Sequence, residues 1–223
     1  MKKFFTLIAA VAMAASVNAQ TFTFDTEYAA GSAPKSITSN GLTLTITDTN
    51  GKTAVDKNSQ YFGTKDSYVK FDTRFKTGGK SSSKNNLTLT LPSDGTLKVY
   101  ARTGSSTAIN RNIVLTQDGT ELVNKIILES EAVKVDMEIE GETVSKSVFP
   151  VISVAVKAGD VAITYPVNSI SIYGFELATA TGVSSVSVAE AKAKTATFNL
   201  AGQQVSESYK GIVVKNGKKY LNK

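Results

Sequence analysis

Leu42-Thr43-Leu44-Thr45-Ile46-Thr47 decides the fold, because apolar and polar side chains alternate there at every second residue. A strand turns successive side chains to opposite faces, so this pattern makes one greasy face and one wet face. The alternation recurs in Leu87-Thr88-Leu89-Thr90-Leu91, in Leu97 to Ala101 and in Val133 to Ile139. Asn40-Gly41, Asn50-Gly51, Asp94-Gly95, Asp118-Gly119 and Asn216-Gly217 punctuate the runs with residues that tolerate positive φ. Val148 to Val156 is apolar on both faces and predicts a central strand. No amphipathic helix is readable between these segments. Strands that each bury one face are satisfied by two packed sheets. The expected fold is therefore an all-β, antiparallel β-sandwich of jelly-roll or galactose-binding-like form, with a small β-hairpin tail at the C-terminus.

The ends of the chain read differently from its middle. Lys2 and Lys3, the apolar run Phe4 to Ala15 and the small residues of Val17-Asn18-Ala19 have the form of a secretory signal peptide, residues 1–19. Cleavage is expected before Gln20. The apolar run falls short of the roughly 20 residues that span a bilayer, and no transmembrane segment is expected in the mature chain. The sandwich should occupy 20–177, a linker rich in Ala, Ser, Thr and Val 178–194, and the β tail 195–223.

The formal charge of +6 is unevenly placed. Seven lysines stand against Glu207 alone in 191–223, while 20–190 carries a net −2. A solvated, lysine-rich tail accounts for the basicity, and no nucleic-acid partner is expected. The chain has no Cys, so stability must come from burial and backbone pairing even in an oxidising compartment.

Two stretches resemble known families. The tail, FNLAGQQVSESYKGIVVKNGKKYLNK at 198–223, resembles the C-terminal sorting domains of proteins exported by the type IX secretion system of Gram-negative bacteria. Phe198 to Val205, Lys210 to Ile212 and Asn216 to Lys219 carry that likeness. It implies passage through the periplasm to the cell surface or medium, with the secretion machinery as a partner of the tail. Residues 94–122, DGTLKVYARTGSSTAINRNIVLTQDGTEL, and 156–177, VKAGDVAITYPVNSISIYGFEL, are similar to an accessory β-sandwich module of secreted pectate lyases. Gly95, Leu97, Arg111, Ile172, Tyr173 and Gly174 fill the matching places. That resemblance implies a carbohydrate-binding-like module, expected here without the catalytic domain that usually accompanies it.

The absence of His and Cys removes Ser-His-Asp and Cys-His catalysis, and His-ligated zinc or haem. Ser82-Ser83-Lys84 and Gly78-Gly79-Lys80 read as surface loop, without the glycine spacing that cradles a phosphate. Asp136, Glu138 and Glu140 alternate on one strand at steps of roughly 7 Å, a spacing open to an acid–base pair. The same carboxylates also read as the wet side of an amphipathic strand, and no Trp accompanies them as a sugar platform. A sugar site needs aromatic faces and planar hydrogen-bonding groups, for which Tyr100, Arg102, Arg111, Asn112, Tyr165 and Tyr173 are the candidates. No cofactor is expected beyond a structural calcium ion, with Asp25, Glu27 and Glu176 as hard oxygen donors. Asp48-Thr49-Asn50-Gly51 has the start of a calcium loop but lacks its distal Glu, and reads as a turn. The leading expectation is a non-catalytic, exported module that binds polysaccharide or another glycan. A surface protein without a sugar ligand and a small carboxylate-dependent glycosidase are the alternatives.

Overall fold

The computed structural model describes residues 17–139, 141–180, 197–199, 204–206, 209–215 and 218–222. The body of the expected signal peptide, Glu140, most of the linker and the Asn216-Gly217 turn lie outside the described residues. The chain divides into two units, Met1–Thr181 and Gly182–Lys223.

The first unit is a β-sandwich. Its early strands are β1 (Val17–Thr23), β2 (Ser36–Ser39), β3 (Leu42–Asp48), β4 (Ala54–Gly63), β5 (Tyr68–Lys76), β6 (Asn85–Leu91) and β7 (Gly95–Thr103). They are followed by β8 (Asn112–Gln117), β9 (Thr120–Ile126), β10 (Val133–Ile139), β11 (Glu142–Phe149), β12 (Ile152–Val156), β13 (Gly159–Thr164) and β14 (Ile170–Ala180). One sheet runs β10-β11-β4-β5-β14-β7-β12, with β1 also paired to β14; the other runs β2-β3-β6-β13-β8-β9. The only helical element among the described residues is a 3-10 turn at Glu129–Glu131.

Alternation explains the interior. Leu42, Leu44, Ile46, Leu87, Leu89 and Leu91 face inward from the second sheet and are buried. Leu97, Val99, Ala101, Ile172, Phe175 and Leu177 meet them from the first. Phe22 packs edge-on to Phe24 and Phe175 at centroid distances of 5.2 and 5.7 Å, and Phe24 stacks on Phe75 at 5.5 Å. Each such side chain contributes about 1.5–3 kcal/mol of burial, enough to set the strand register without disulfides.

Turn chemistry holds where both central residues take positive φ. Asn40 and Gly41 (48° and 83°) close β2–β3, and Asp118 and Gly119 (50° and 75°) close β8–β9. Both are two-residue hairpins of the mirror-image type that suits strand twist. Asp48-Thr49-Asn50-Gly51 is also a turn. The Asp48 carboxylate accepts from Lys52 N, Thr53 N and Thr53 Oγ1 at 3.0, 2.8 and 2.7 Å. Burial pushes that carboxyl up, but these donors together hold it below its ordinary value.

Two expectations need correction. Val148 to Val156 is not one central strand: Pro150, which has no N–H to donate, separates β11 from β12. The second half, β12, pairs only with β7 and forms an edge. The linker does not begin at 178 either, since β14 continues to Ala180 in register with Val17 of β1. The strand β1 thus starts three residues before the expected cleavage point, and Gln20 to Thr23 remain paired to β14 on the far side of it.

The second unit is a four-stranded antiparallel sheet in the order β16-β15-β17-β18, built from β15 (Thr197–Asn199), β16 (Gln204–Val205), β17 (Gly211–Lys215) and β18 (Lys218–Asn222). Among its described side chains Val213 is buried, while Ile212, Tyr220 and Leu221 are exposed.

Candidate functional site

Tyr100, Arg102 and Tyr173 come together on the outer face of the first sheet, but not as a sugar platform. A second apolar cluster forms there from Phe62, Phe71, Tyr100, Phe149 and Tyr173, with Ala132 and Val151 packed against it. Tyr100 is 3% exposed and Tyr173 1%, so neither ring offers a face to a ligand. The Tyr100 hydroxyl donates to Glu176 Oε2 at 2.9 Å, and burial followed by that carboxylate raises its ionisation well above the usual range. The Tyr173 hydroxyl donates to Asn58 Oδ1 at 2.6 Å; burial raises it too, against the opposing charges of Arg102 and Arg74. Arg102 lies 4.2 Å over the Phe149 ring and forms a two-pronged pair with Glu129 at 3.1 and 2.5 Å. It clamps the 3-10 turn onto the sheet.

The other sugar candidates are also occupied within the fold. Tyr165 is fully buried, and its hydroxyl donates to Asn85 Oδ1 at 2.7 Å. Arg111 Nη1 donates to the carbonyl and hydroxyl of Ser169 at 2.6 and 2.9 Å, away from the tyrosine pair. Asn112 Nδ2 donates to Asn124 Oδ1 across β8–β9 at 2.8 Å. The three tyrosines are therefore corrected from ligand platforms to packing residues: Tyr100 and Tyr173 because the chain returns over the outer face, Tyr165 because it joins the core between the sheets.

Nor are the three calcium candidates assembled into a site. Asp25 accepts from Thr23 Oγ1 at 2.8 Å, Glu27 lies 3.7 Å from Lys57 Nζ, and Glu176 is held by Lys98 Nζ at 2.6 Å and by Tyr100. Among the described residues no group of three acidic side chains is placed to hold a metal ion. On β10, Asp136 and Glu138 are exposed, and Glu138 accepts from Thr143 Oγ1 at 2.5 Å. Val135 and Met137, which alternate with them in sequence, are buried with Val148, as the amphipathic reading of the strand requires.

The candidate site lies where the first sheet divides. β11 joins β4 in parallel through only two residue pairs, Val148↔Tyr61 and Phe149↔Phe62. Toward Ser147 and Gln60 the strands part, and a cleft of about 490 Å³ fills the fork. Its volume is in the range of small-ligand sites, and it is an open groove lined by groups from β4, β5, β10 and β11. Ser59, Ser145 and Ser147 supply hydroxyls, Gln60 an amide, and Lys70, Lys134 and Lys146 ammonium groups. Tyr61 and Ile139 give it an apolar wall. Tyr61 is half-buried and meets Tyr68 edge-on at 5.9 Å. Lys134 Nζ donates to Ser147 Oγ at 3.0 Å, and Asp72 ties Lys70 to Ser59 at 2.6 and 2.8 Å. This Asp72 contact lowers the carboxyl and raises the Lys70 ammonium from their ordinary values.

No protein-family model matches the chain, and no curated protein matches it. Solved structures similar to the chain include two from bacteria. One is a chain described with the Ruminococcus flavefaciens cellulosome and its expansion in glycan recognition, with 12% identity and TM-score 0.33, covering 73% of this chain and 95% of that one. The other is the K1 cleaved adhesin domain of the Lys-gingipain of Porphyromonas gingivalis W83, with 12% identity and TM-score 0.37, covering 74% and 99%. Likeness at this depth says nothing of chemistry or ligand.

Proposed function

We propose that this chain is a non-catalytic binding module for carbohydrate, exported and displayed at the cell surface or released. The fork cleft carries the reading. It gathers three hydroxyls, an amide and a tyrosine beside charged donors in an open groove, the kind of lining that recognises a polyhydroxylated ligand. The route of export rests on the signal-peptide pattern and on the resemblance of the tail to type IX sorting domains. The tail's exposed Ile212, Tyr220 and Leu221 support a role in contacting secretion or attachment machinery.

Affinity electrophoresis of the full chain through gels containing plant and host polysaccharides tests the reading. Retardation by at least one of them, without release of reducing sugar, is the expected result. Free migration through every gel, by protein that still unfolds cooperatively, would refute it.

A further inference from the structure

We infer that the fork cleft selects an anionic polysaccharide, one whose sugar units carry carboxylate or sulfate groups. This rests on the reading of the cleft as a carbohydrate site and narrows its ligand class.

Among the described residues the lining carries positive charge alone. Lys70, Lys134 and Lys146 border the groove, and no carboxylate among the described residues does. Lys70 is matched by Asp72 at 2.6 Å. The ion pairs of the described residues leave Lys134 and Lys146 without an acidic partner. They occupy successive rungs of the β10–β11 hairpin, Lys134 beside Ser147 and Lys146 beside Val135, and so leave opposite faces of it at the border of the groove. Lys146 is half-buried, which strips part of its water and leaves its charge to be answered by a ligand. Elsewhere the lysines and arginines of the first sheet are neutralised in place: Arg74 and Lys76 share Asp56, Lys98 holds Glu176, and Arg102 holds Glu129. The fork is the exception.

Residues 20–190 carry a net −2, so no broad positive field draws in a polyanion from a distance. Recognition must be local, with an anion seated among hydroxyls that bind its sugar ring. Among the described residues the groove lacks the succession of exposed aromatic faces on which nucleic-acid bases stack. These features favour an acidic glycan over a nucleic acid.

Two matched ligand pairs test this with the full chain: galactan against polygalacturonate, and dextran against dextran sulfate. Isothermal titration should give binding to the charged member of at least one pair, weakening as NaCl rises. The Lys134→Gln/Lys146→Gln double variant should bind that ligand roughly tenfold more weakly and unfold at an unchanged urea midpoint. Carboxylate and sulfate sources are separated by which pair responds. Equal binding of parent and variant to a neutral glycan would overturn the inference while leaving carbohydrate binding intact. Binding to no polysaccharide would remove both. Tighter lysine-dependent binding to single-stranded DNA than to either polyanion would overturn it in favour of a nucleic acid.

Discussion

The two faces of the first sheet bury aromatic rings in different ways. Inside, the side chains of Phe22, Phe24, Phe75 and Phe175 pack in the apolar core and carry no polar atom. Outside, Tyr100 and Tyr173 pack as deeply against Phe62 and Phe71, yet each hydroxyl is anchored, on Glu176 and on Asn58. The inner face is sealed by a second sheet. The outer face is sealed by chain that returns from far away, Phe149 with Ala132 and Val151, and Arg102 pins it through Glu129. These inner phenylalanines rely on buried area, whereas the covered outer face uses directional bonds to hold its cover in place.

That contrast can be broken by substitution. Phe175→Ala should cost the most, about 3–5 kcal/mol of unfolding free energy in urea, because the two sheets cannot collapse onto the cavity. Gly174→Ala comes next at about 2–3 kcal/mol, since its new Cβ would stand 2.6 Å from Phe22 O and 2.6 Å from Phe71 Cε1. Loss there would register on both faces at once. Tyr173→Phe should cost about 1 kcal/mol by removing one anchored hydroxyl from an otherwise intact cluster. A loss equal to that of Phe175→Ala would show the outer cluster to be a second core, and no loss would show the anchor to be idle. The smallest effect is a pH dependence. The Asp48 carboxyl is held below its ordinary 3.8, so its stabilisation is present above that value and fades as pH falls through the folded-state value. Asp48→Asn should flatten that acid limb of the urea midpoint, leaving the neutral-pH midpoint slightly lower.

Local pattern made the inner face legible. Leu42, Leu44 and Ile46 read correctly because period-two alternation needs no distant partner, and Asn40-Gly41 read correctly because positive φ is a property of the dipeptide. Tyr100 and Tyr173 misled because they lie on the polar side of their strands, and nothing nearby in sequence announces the cover. The Val148 to Val156 run hid a strand break at Pro150, where loss of a donor outweighs hydrophobicity. The cleft was not legible at all, because β4 and β11, distant in sequence, are joined only by the two-pair parallel junction of Val148↔Tyr61 and Phe149↔Phe62.

The place of β14 has a mechanical consequence. It is the last strand of the sandwich, yet it lies inside its sheet, bonded to β7 from Ile170↔Thr103 to Ala178↔Thr96 on one side and to β5 and β1 on the other. A force applied along β14 would load these pairings lengthwise. Its rungs would then bear the load together in shear, the geometry that resists rupture, and no single pair could peel away first.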